Sequence, residues 1–458
     1  MAGGTSGYDS GQQHRIELRV AATCGSGEEM THGTAYNVIS VIAIAVLGFL
    51  LFMALFQPGL KYRITARTSE SLNSPDFFRT LEALTDSKLE PHTAVEVLPN
   101  GDNFYVAELD AIKNAQKNIN LEAYIFKHGE IASKLVEALT ERARAGVKVH
   151  VLLDGVGSGI ATTKNDFKPL TEAGGKMFFY HPLRWYNIAR YNNRTHREIL
   201  VVDGKTGFVG GAGIADYWWK NTDEKNPRWR DNMFRITGDA VVSLQGTFIE
   251  NWLQASEEVL NGIEYFPDDP DDGKVTALVV NSTPSIGGST RARILFQTLL
   301  ASAKKNIQIT TPYFMPDESV RKELINAVKN RGVKVTVLTA GDHNDHWLSR
   351  TSSRRLYGDL LQAGVKIYEY QPSMIHAKVM VIDGLWSVVG STNFDNRSFG
   401  LNDEVNLAGC DEKLASSLDQ LFQQDLGRSR VISYQEWKSR PWHEKLREWF
   451  GWLLQRQE

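Results

Sequence analysis

From residue 95 onward, apolar runs and amphipathic stretches recur in one order, twice. The first copy opens with VEVLPNGDNFY (95–105) and a helix-like AELDAIKNAQK (107–117). A strand-like INLEAYIF (119–126), a helical ASKLVEALTERARAG (132–146) and a strand-like VKVHVLLD (147–154) follow. The second copy runs ALVVNSTPS (277–285), RILFQTLLASAKK (293–305), IQITTPYF (307–314), SVRKELINAVKNRG (319–332) and VKVTVLTA (333–340). Each then passes through EAGGKMFFY (172–180) or QAGVKIYEY (362–370) into a loop and a histidine motif. Strands alternating with helices predict an α/β fold, a mainly parallel sheet with helices on its faces. So long a period means two related lobes rather than a short-repeat solenoid. The expected division is lobe one over 91–262, an acidic linker over 263–275 and lobe two over 276–430. A polar, disordered tail over 1–35 and a connector over 59–90 precede them, and an amphipathic helix over 431–458 follows.

One stretch departs from this pattern. VISVIAIAVLGFLLFMALF (38–56) carries no charge and matches the ~20 apolar residues that cross ~30 Å of hydrocarbon. A transmembrane helix over 36–58 is therefore expected. A cleaved signal peptide fits less well, because Glu28 and Glu29 stand where a positive flank belongs. Lys61, Arg63 and Arg67 follow the run, whereas 20–35 holds no Lys or Arg. By the positive-inside rule the lobes are expected on the cytoplasmic side.

Composition changes the picture little. A net charge of −3 argues against a dedicated nucleic-acid binder. Cys24 and Cys410, the only cysteines, provide neither a disulfide framework nor a cysteine metal site. His343 and His346 in DHNDHW have a metal-like spacing but read as loop residues.

The chemistry lies in the repeated motif, THREILVVDG (195–204) and IHAKVMVIDG (375–384). Residues two apart in a strand share a face, so His376 and Lys378 point the same way. An imidazole beside an ammonium suits a phosphate. Lys supplies charge to the non-bridging oxygens, and His supplies a nucleophile or a proton. In VVGSTNFDNRSF, Ser391 and Asn393 offer small donors for the same oxygens, and Gly390 lets backbone come close. Asp383 sits at the turn after the strand, a position that points to a structural role. An isolated His-x-Lys is a weak signal. The full string His376-x-Lys378-x4-Asp383, then Gly390-Ser391-x-Asn393, echoed in the other lobe, is far more specific.

This double motif resembles the phospholipase D superfamily. With TPYFMPD, SMIHAKVMVIDGLWSVVGSTNFDNRSF, LNDEVNL and the apolar N-terminal run, it resembles the bacterial cardiolipin synthase branch, over roughly 91–430. The resemblance implies two α-β-α lobes in a pseudo-two-fold pair whose histidines meet in one site. One His attacks phosphorus to give a phosphohistidine, and the other serves as acid and then base. It implies no metal or other cofactor, a phospholipid membrane as partner, and phosphatidylglycerol as substrate. It also implies a single-pass protein of a bacterial inner membrane, and it brings Asp203 and Asp383 into the catalytic set. The oligomeric state stays open.

A neutral imidazole works best when a carboxylate holds its other nitrogen. The acids that follow each motif are Asp231 in RWRDNMFRI and Glu404 in LNDEVNLAG. By order along the repeat, Asp231 is expected to orient His196, and Glu404 to orient His376.

The first motif departs from the family pattern. Glu198 replaces the Lys, and GGAG (210–213) replaces GSTN, so Gly211 and Gly213 stand for Ser and Asn. His196 and Asp203 remain. Glu198 shares a face with His196, where a bare carboxylate repels a phosphate. It must pair with a cation (Lys378, Arg194 or Lys205), be protonated, or contact the acceptor's hydroxyls. FFYHPLRWYNIARYNNR (178–194) mixes aromatics with Arg and fits a lipid substrate. In the C-terminal segment Trp442, Leu446, Trp449 and Leu453 share a helical face, either interfacial or packed on the protein's own core. The reading is a membrane-anchored phosphatidyltransferase that joins two phosphatidylglycerols. Hydrolysis by a phospholipase D, a nuclease and an inactive phospholipid-binding protein remain as alternatives.

Overall fold

The computed structural model describes residues 34–50, 64, 71–182, 192–223, 226–268, 273–284, 290–345 and 347–454. The chain divides into two units, Met1–Pro58 and Gly59–Glu458.

The larger unit is organised around one fifteen-stranded sheet. At its middle, Leu89–Pro99 pairs antiparallel with Val275–Ser282. Outward on one side lie Asn232–Gly238, Thr206–Gly210, Ile199–Val202, Asn118–Ala123, Lys148–Asp154 and Lys176–Tyr180. Outward on the other lie the counterparts from the second copy: Glu404–Cys410, Trp386–Gly390, Val379–Ile382, Asn306–Thr310, Lys334–Ala340 and Lys366–Tyr370. Ser429–Ile432 adds an edge strand with no equivalent. The strand order reads alike in both directions from the centre, which is the pseudo-two-fold.

The expected mainly parallel sheet is a mixed one. Four strand pairs are parallel and the others antiparallel. Asp203-Gly204 and Asp383-Gly384 explain much of this. Both residues of each pair have φ of 54–67°, the left-handed geometry that closes a hairpin. The apolar runs after the histidines thus fold back on 206–210 and 386–390.

Helices pack as their stripes dictate. Glu130–Arg144 buries Ile131, Leu135 and Leu139 at helical spacing, with Glu130 at its start and Arg142 and Arg144 at its end, favourable for the helix dipole. Each lobe has its own core, and a third core is shared. Phe248 and Trp252 of Ala240–Ser256, with Leu414 and Leu418 of Glu412–Leu426, join Val201 and Val209 of lobe one to Val381 and Val389 of lobe two. Within the segment expected to be a connector, helix Pro75–Thr85 buries Phe77 and Leu81 in the core of lobe two. Phe77 sets its ring 6.1 Å from that of Trp386.

The expected transmembrane helix is corrected. In the first unit the described residues 34–50 are helical. Positions 51–56 of the apolar run lie outside the described residues, as does the tail before 34. No helix among the described residues is long and apolar enough to cross a membrane. The membrane-anchored and single-pass readings, and the cytoplasmic placement of the lobes derived from them, fall with it.

Candidate active site

The two histidine segments meet where the lobes join. Each precedes its hairpin strand and makes a short backbone ladder with the other lobe. The His196 N–H donates to the Asp403 carbonyl at 2.8 Å, and the Asp403 N–H to the Arg194 carbonyl at 2.9 Å. In the mirror arrangement the His376 N–H donates to Arg230 at 2.7 Å, and the Arg230 N–H to Met374 at 2.8 Å. Asp403 and Arg230 immediately precede the two acids. Each ladder therefore delivers one lobe's carboxylate to the other lobe's imidazole.

The acid–histidine pairs are thus crossed, contrary to the pairing expected from sequence order. His196 Nδ1 lies 3.1 Å from both carboxylate oxygens of Glu404. His376 Nδ1 lies 2.9 Å from Asp231 Oδ2. Order along the repeat places each acid after the His of its own lobe, but the two-fold carries it over to the opposite one. In both pairs the carboxylate takes Nδ1, so Nε2 is the nitrogen that can face a substrate, and the Lys378 Nζ stands 3.0 Å from that of His376.

Burial and charge tune the set. Burial, then the neighbouring Lys378, pull His376 below the ordinary imidazole value against its bond to Asp231, so it is neutral at neutral pH. Burial works against ionised Glu404, but His196 and the Ser391 hydroxyl outweigh it and hold the carboxyl below its usual range. Burial pulls Lys378 down to about 8. Among the described residues its Nζ donates to no carboxylate, and Lys378 stands behind His376 rather than on the cavity wall. It donates to the His376 carbonyl at 2.8 Å and lies 2.8 and 3.0 Å from the ring nitrogens.

Both histidines open on one cavity of about 500 Å³, walled also by Glu198, Gly211 and Asn393. The Asn393 Oδ1 is buried without a partner among the described residues, a group that awaits a donor. Aromatic rings flank the imidazoles: Tyr124 lies 5.4 Å from His196, and Trp218 and Trp229 lie 5.3 and 5.5 Å from His376.

Other site candidates stand elsewhere. Ser391 is fully buried and donates to Glu404 Oε2 at 2.5 Å, so it positions an acid rather than touching the cavity. At Gly390 a Cβ would lie 2.2 Å from the Val405 carbonyl oxygen, so this glycine serves strand packing. Asp203 and Asp383, brought into the catalytic set by the resemblance, hold backbone at the hairpin turns, as the turn position of Asp383 led one to expect. Each carboxylate accepts three backbone N–H groups: those of 116–118 at 2.7–3.0 Å for Asp203, and of 304–306 at 2.7–2.9 Å for Asp383. Neither lines the cavity.

Glu198 is buried, and its Oε1 accepts the Tyr124 N–H at 3.2 Å. Burial pushes its carboxyl far above the ordinary range, against the pull of that N–H and of Lys378. The three cations considered for it are placed otherwise. Arg194 pairs with Asp154 at 3.3 Å, Lys378 rests on His376, and Lys205 is exposed on the hairpin turn.

Sequence reasoning missed Trp218, Tyr313, Asp345, Asp395 and Arg397 on the cavity wall. Asp395 had a signal, since it lies two residues beyond Asn393 in the same motif. Burial lifts its carboxyl to about 6. Trp218 lies in the short helix Asp216–Trp219, and Tyr313, Asp345 and Arg397 come from loops beyond strand ends, where no periodicity marks them. His343 is an exposed loop residue, and His346 and 183–191 lie outside the described residues. The C-terminal helix Trp442–Leu454 sets Gly451 against Ser352 and leaves Trp442, Leu446 and Trp449 exposed. The side chain of Leu453 is not among those described.

A two-fold pair of lobes that unites two His motifs over one cavity defines a phosphodiester-transferring enzyme of phospholipase D type. Comparison with known proteins narrows this. Residues 109–245 and 296–426 match the family described as "Cardiolipin synthase, PLD-like domain". The chain is 37% identical to the major cardiolipin synthase ClsA of Bacillus subtilis (strain 168), over 79% of this chain and 74% of that one. It is 33% identical to the probable cardiolipin synthase YwiE of the same organism, over 79% and 71%. Among solved structures, phosphatidylserine synthase of Haemophilus influenzae Rd KW20 superimposes with a TM-score of 0.64 over 83% of this chain and 99% of its own. Its identity is 15%, so that likeness is one of fold. The chain belongs to the phospholipase D superfamily, in its cardiolipin-synthase-like branch.

Proposed function

We propose that this protein transfers a phosphatidyl group from one phosphatidylglycerol to another, releasing glycerol and forming cardiolipin. The observation that carries this reading is the crossed pair of acid–histidine dyads on a single cavity. In the first step His376 Nε2 forms a bond to phosphorus while the bond from phosphorus to the glycerol oxygen breaks. His196 gives its proton to that oxygen. In the second step His196 takes the proton from a hydroxyl of the incoming phosphatidylglycerol. The hydroxyl oxygen bonds to phosphorus as the phosphorus–nitrogen bond breaks. Asp231 holds His376 in the tautomer with Nε2 free, and Glu404 stabilises His196 when it carries a charge. Lys378, beside Nε2, and the Asn393 Nδ2–H group meet the charge that builds on the phosphoryl oxygens. His376 is the nucleophile in this scheme because it is the neutral imidazole beside the ammonium.

The test is product analysis with purified protein and phosphatidylglycerol vesicles. Cardiolipin and glycerol should appear in equal amounts, and His376→Ala should abolish both. Phosphatidic acid as the sole lipid product would assign the acceptor role to water. Turnover surviving His376→Ala would remove the mechanism.

A further inference from the structure

The reversed charge in the first motif has a structural answer. Glu198 stands to His196 as Lys378 stands to His376: two residues on, just before the hairpin strand. The two-fold therefore sets it at the phosphate position of lobe one, and it does line the cavity with both histidines.

The two glycines that break the family motif fit this residue. A Cβ at Gly213 would lie 3.2 Å from Glu198 Oε1 and 2.7 Å from the Ile125 carbonyl oxygen. A Cβ at Gly211 would lie 2.9 Å from both Asp231 Oδ1 and Lys378 Cδ. The stripped clamp is thus a refitted wall, which leaves room for the carboxyl and for the lysine that reaches across from lobe two.

The surroundings decide the charge state. The carboxyl is enclosed by the 124–125 backbone, with Lys378 from lobe two attracting it and Glu108 of helix Gly101–Asn114 repelling it. An ionised carboxylate here would oppose a phosphate. An undissociated one carries an O–H donor, and an arriving anion favours that form further.

We propose that Glu198, as an undissociated carboxylic acid, donates a hydrogen bond to a non-bridging phosphoryl oxygen of the substrate. It thereby fills in lobe one the place Lys378 holds in lobe two. The inference rests on the phosphodiester chemistry assigned to the cavity, but not on the identity of the acceptor.

The full-length protein is assayed with bis(p-nitrophenyl) phosphate and with phosphatidylglycerol vesicles, and inorganic phosphate serves as the binding probe. Glu198→Gln keeps a donor and a neutral side chain and should stay within roughly fivefold of the native rate. Glu198→Met, similar in size but without a donor, should lose on the order of 10²-fold, as removal of one transition-state donor commonly does. Infrared difference spectra on adding phosphate should show a protonated-carboxyl C=O band that shifts and that is absent from Glu198→Gln. Any one of three results overturns the proposal: a native rate in Glu198→Met, equal losses in Met and Gln, or no such band. The infrared measurement decides alone if Glu198→Met does not fold. Cleavage of the p-nitrophenyl ester with this variant pattern but no cardiolipin would remove the transfer reading and leave the role of Glu198 standing. Cardiolipin formed at a native rate by Glu198→Met would do the reverse.

Discussion

Replacing Glu404 by Gln separates the two dyads. The amide keeps the shape of a side chain that is fully buried and contacts His196 Nδ1 at 3.1 Å. It cannot stabilise the imidazolium that forms when His196 takes a proton. Loss of an orienting carboxylate with geometry retained costs on the order of 10⁴ in rate, or ~5.5 kcal/mol of transition-state stabilisation. That cost applies only where His196 must move a proton. Glycerol is a poor leaving group and needs one, whereas p-nitrophenolate leaves without it. In the first turnover, followed by stopped-flow release of p-nitrophenol, Glu404→Gln should therefore lose less than about tenfold. With phosphatidylglycerol it should lose close to the full 10⁴. Asp231→Asn acts on the nucleophile, so both substrates should suffer by a similar large factor. Because the pairs are crossed, His196→Ala should add little to Glu404→Gln, while His196→Ala and Asp231→Asn should show no such overlap. The opposite pattern, with Asp231→Asn rescued by the activated substrate, would assign the nucleophile to His196. Equal losses on both substrates for both variants would refute the division of labour.

Asp383→Ala should act on stability rather than chemistry. It strands three backbone N–H groups at a residue with φ of 56°, for a loss of about 2–3 kcal/mol in chemical denaturation with the rate per folded molecule unchanged. The rate should also be bell-shaped in pH. It should fall in acid as His376 gains a proton, with an apparent pKa below the ordinary imidazole value. It should fall in alkali as Lys378, pulled down to about 8, loses its proton and its charge. Lys378→Arg, which does not titrate in this range, should move the alkaline limb upward, and an unmoved limb would exclude Lys378 as its source.

The relatives now place a reaction class on a fold whose parts were unequally visible beforehand. The repeat, the strand and helix segments and both histidines were legible because they rest on local signals. These are periodicity, the spacing of His-x-Lys, and the Asp-Gly that follows each apolar run. The antiparallel hairpins were legible in principle from the same Asp-Gly pairs, which permit the left-handed turn. The apolar run at 38–56 showed the limit of such signals. Hydropathy alone assigned it a span, whereas no helix among the described residues is long and apolar enough to cross a membrane.

What the sequence could not contain is the relation between the copies. Residue order pairs Asp231 with His196. The antiparallel pairing of Leu89–Pro99 with Val275–Ser282 instead turns the lobes about a two-fold, and the ladders at 195–403 and 230–375 exchange their acids. Ser391 looked like a phosphate donor, but its hydroxyl is directed to Glu404. The state of Glu198 was likewise undetermined. A carboxyl's charge depends on how far it lies from water and which cations reach it, and packing alone sets both. Sequence determined which groups the protein possesses, because residue type and local spacing are written in it. Tertiary structure decided which group faces which, because contacts between distant segments exist only once the two lobes close on each other.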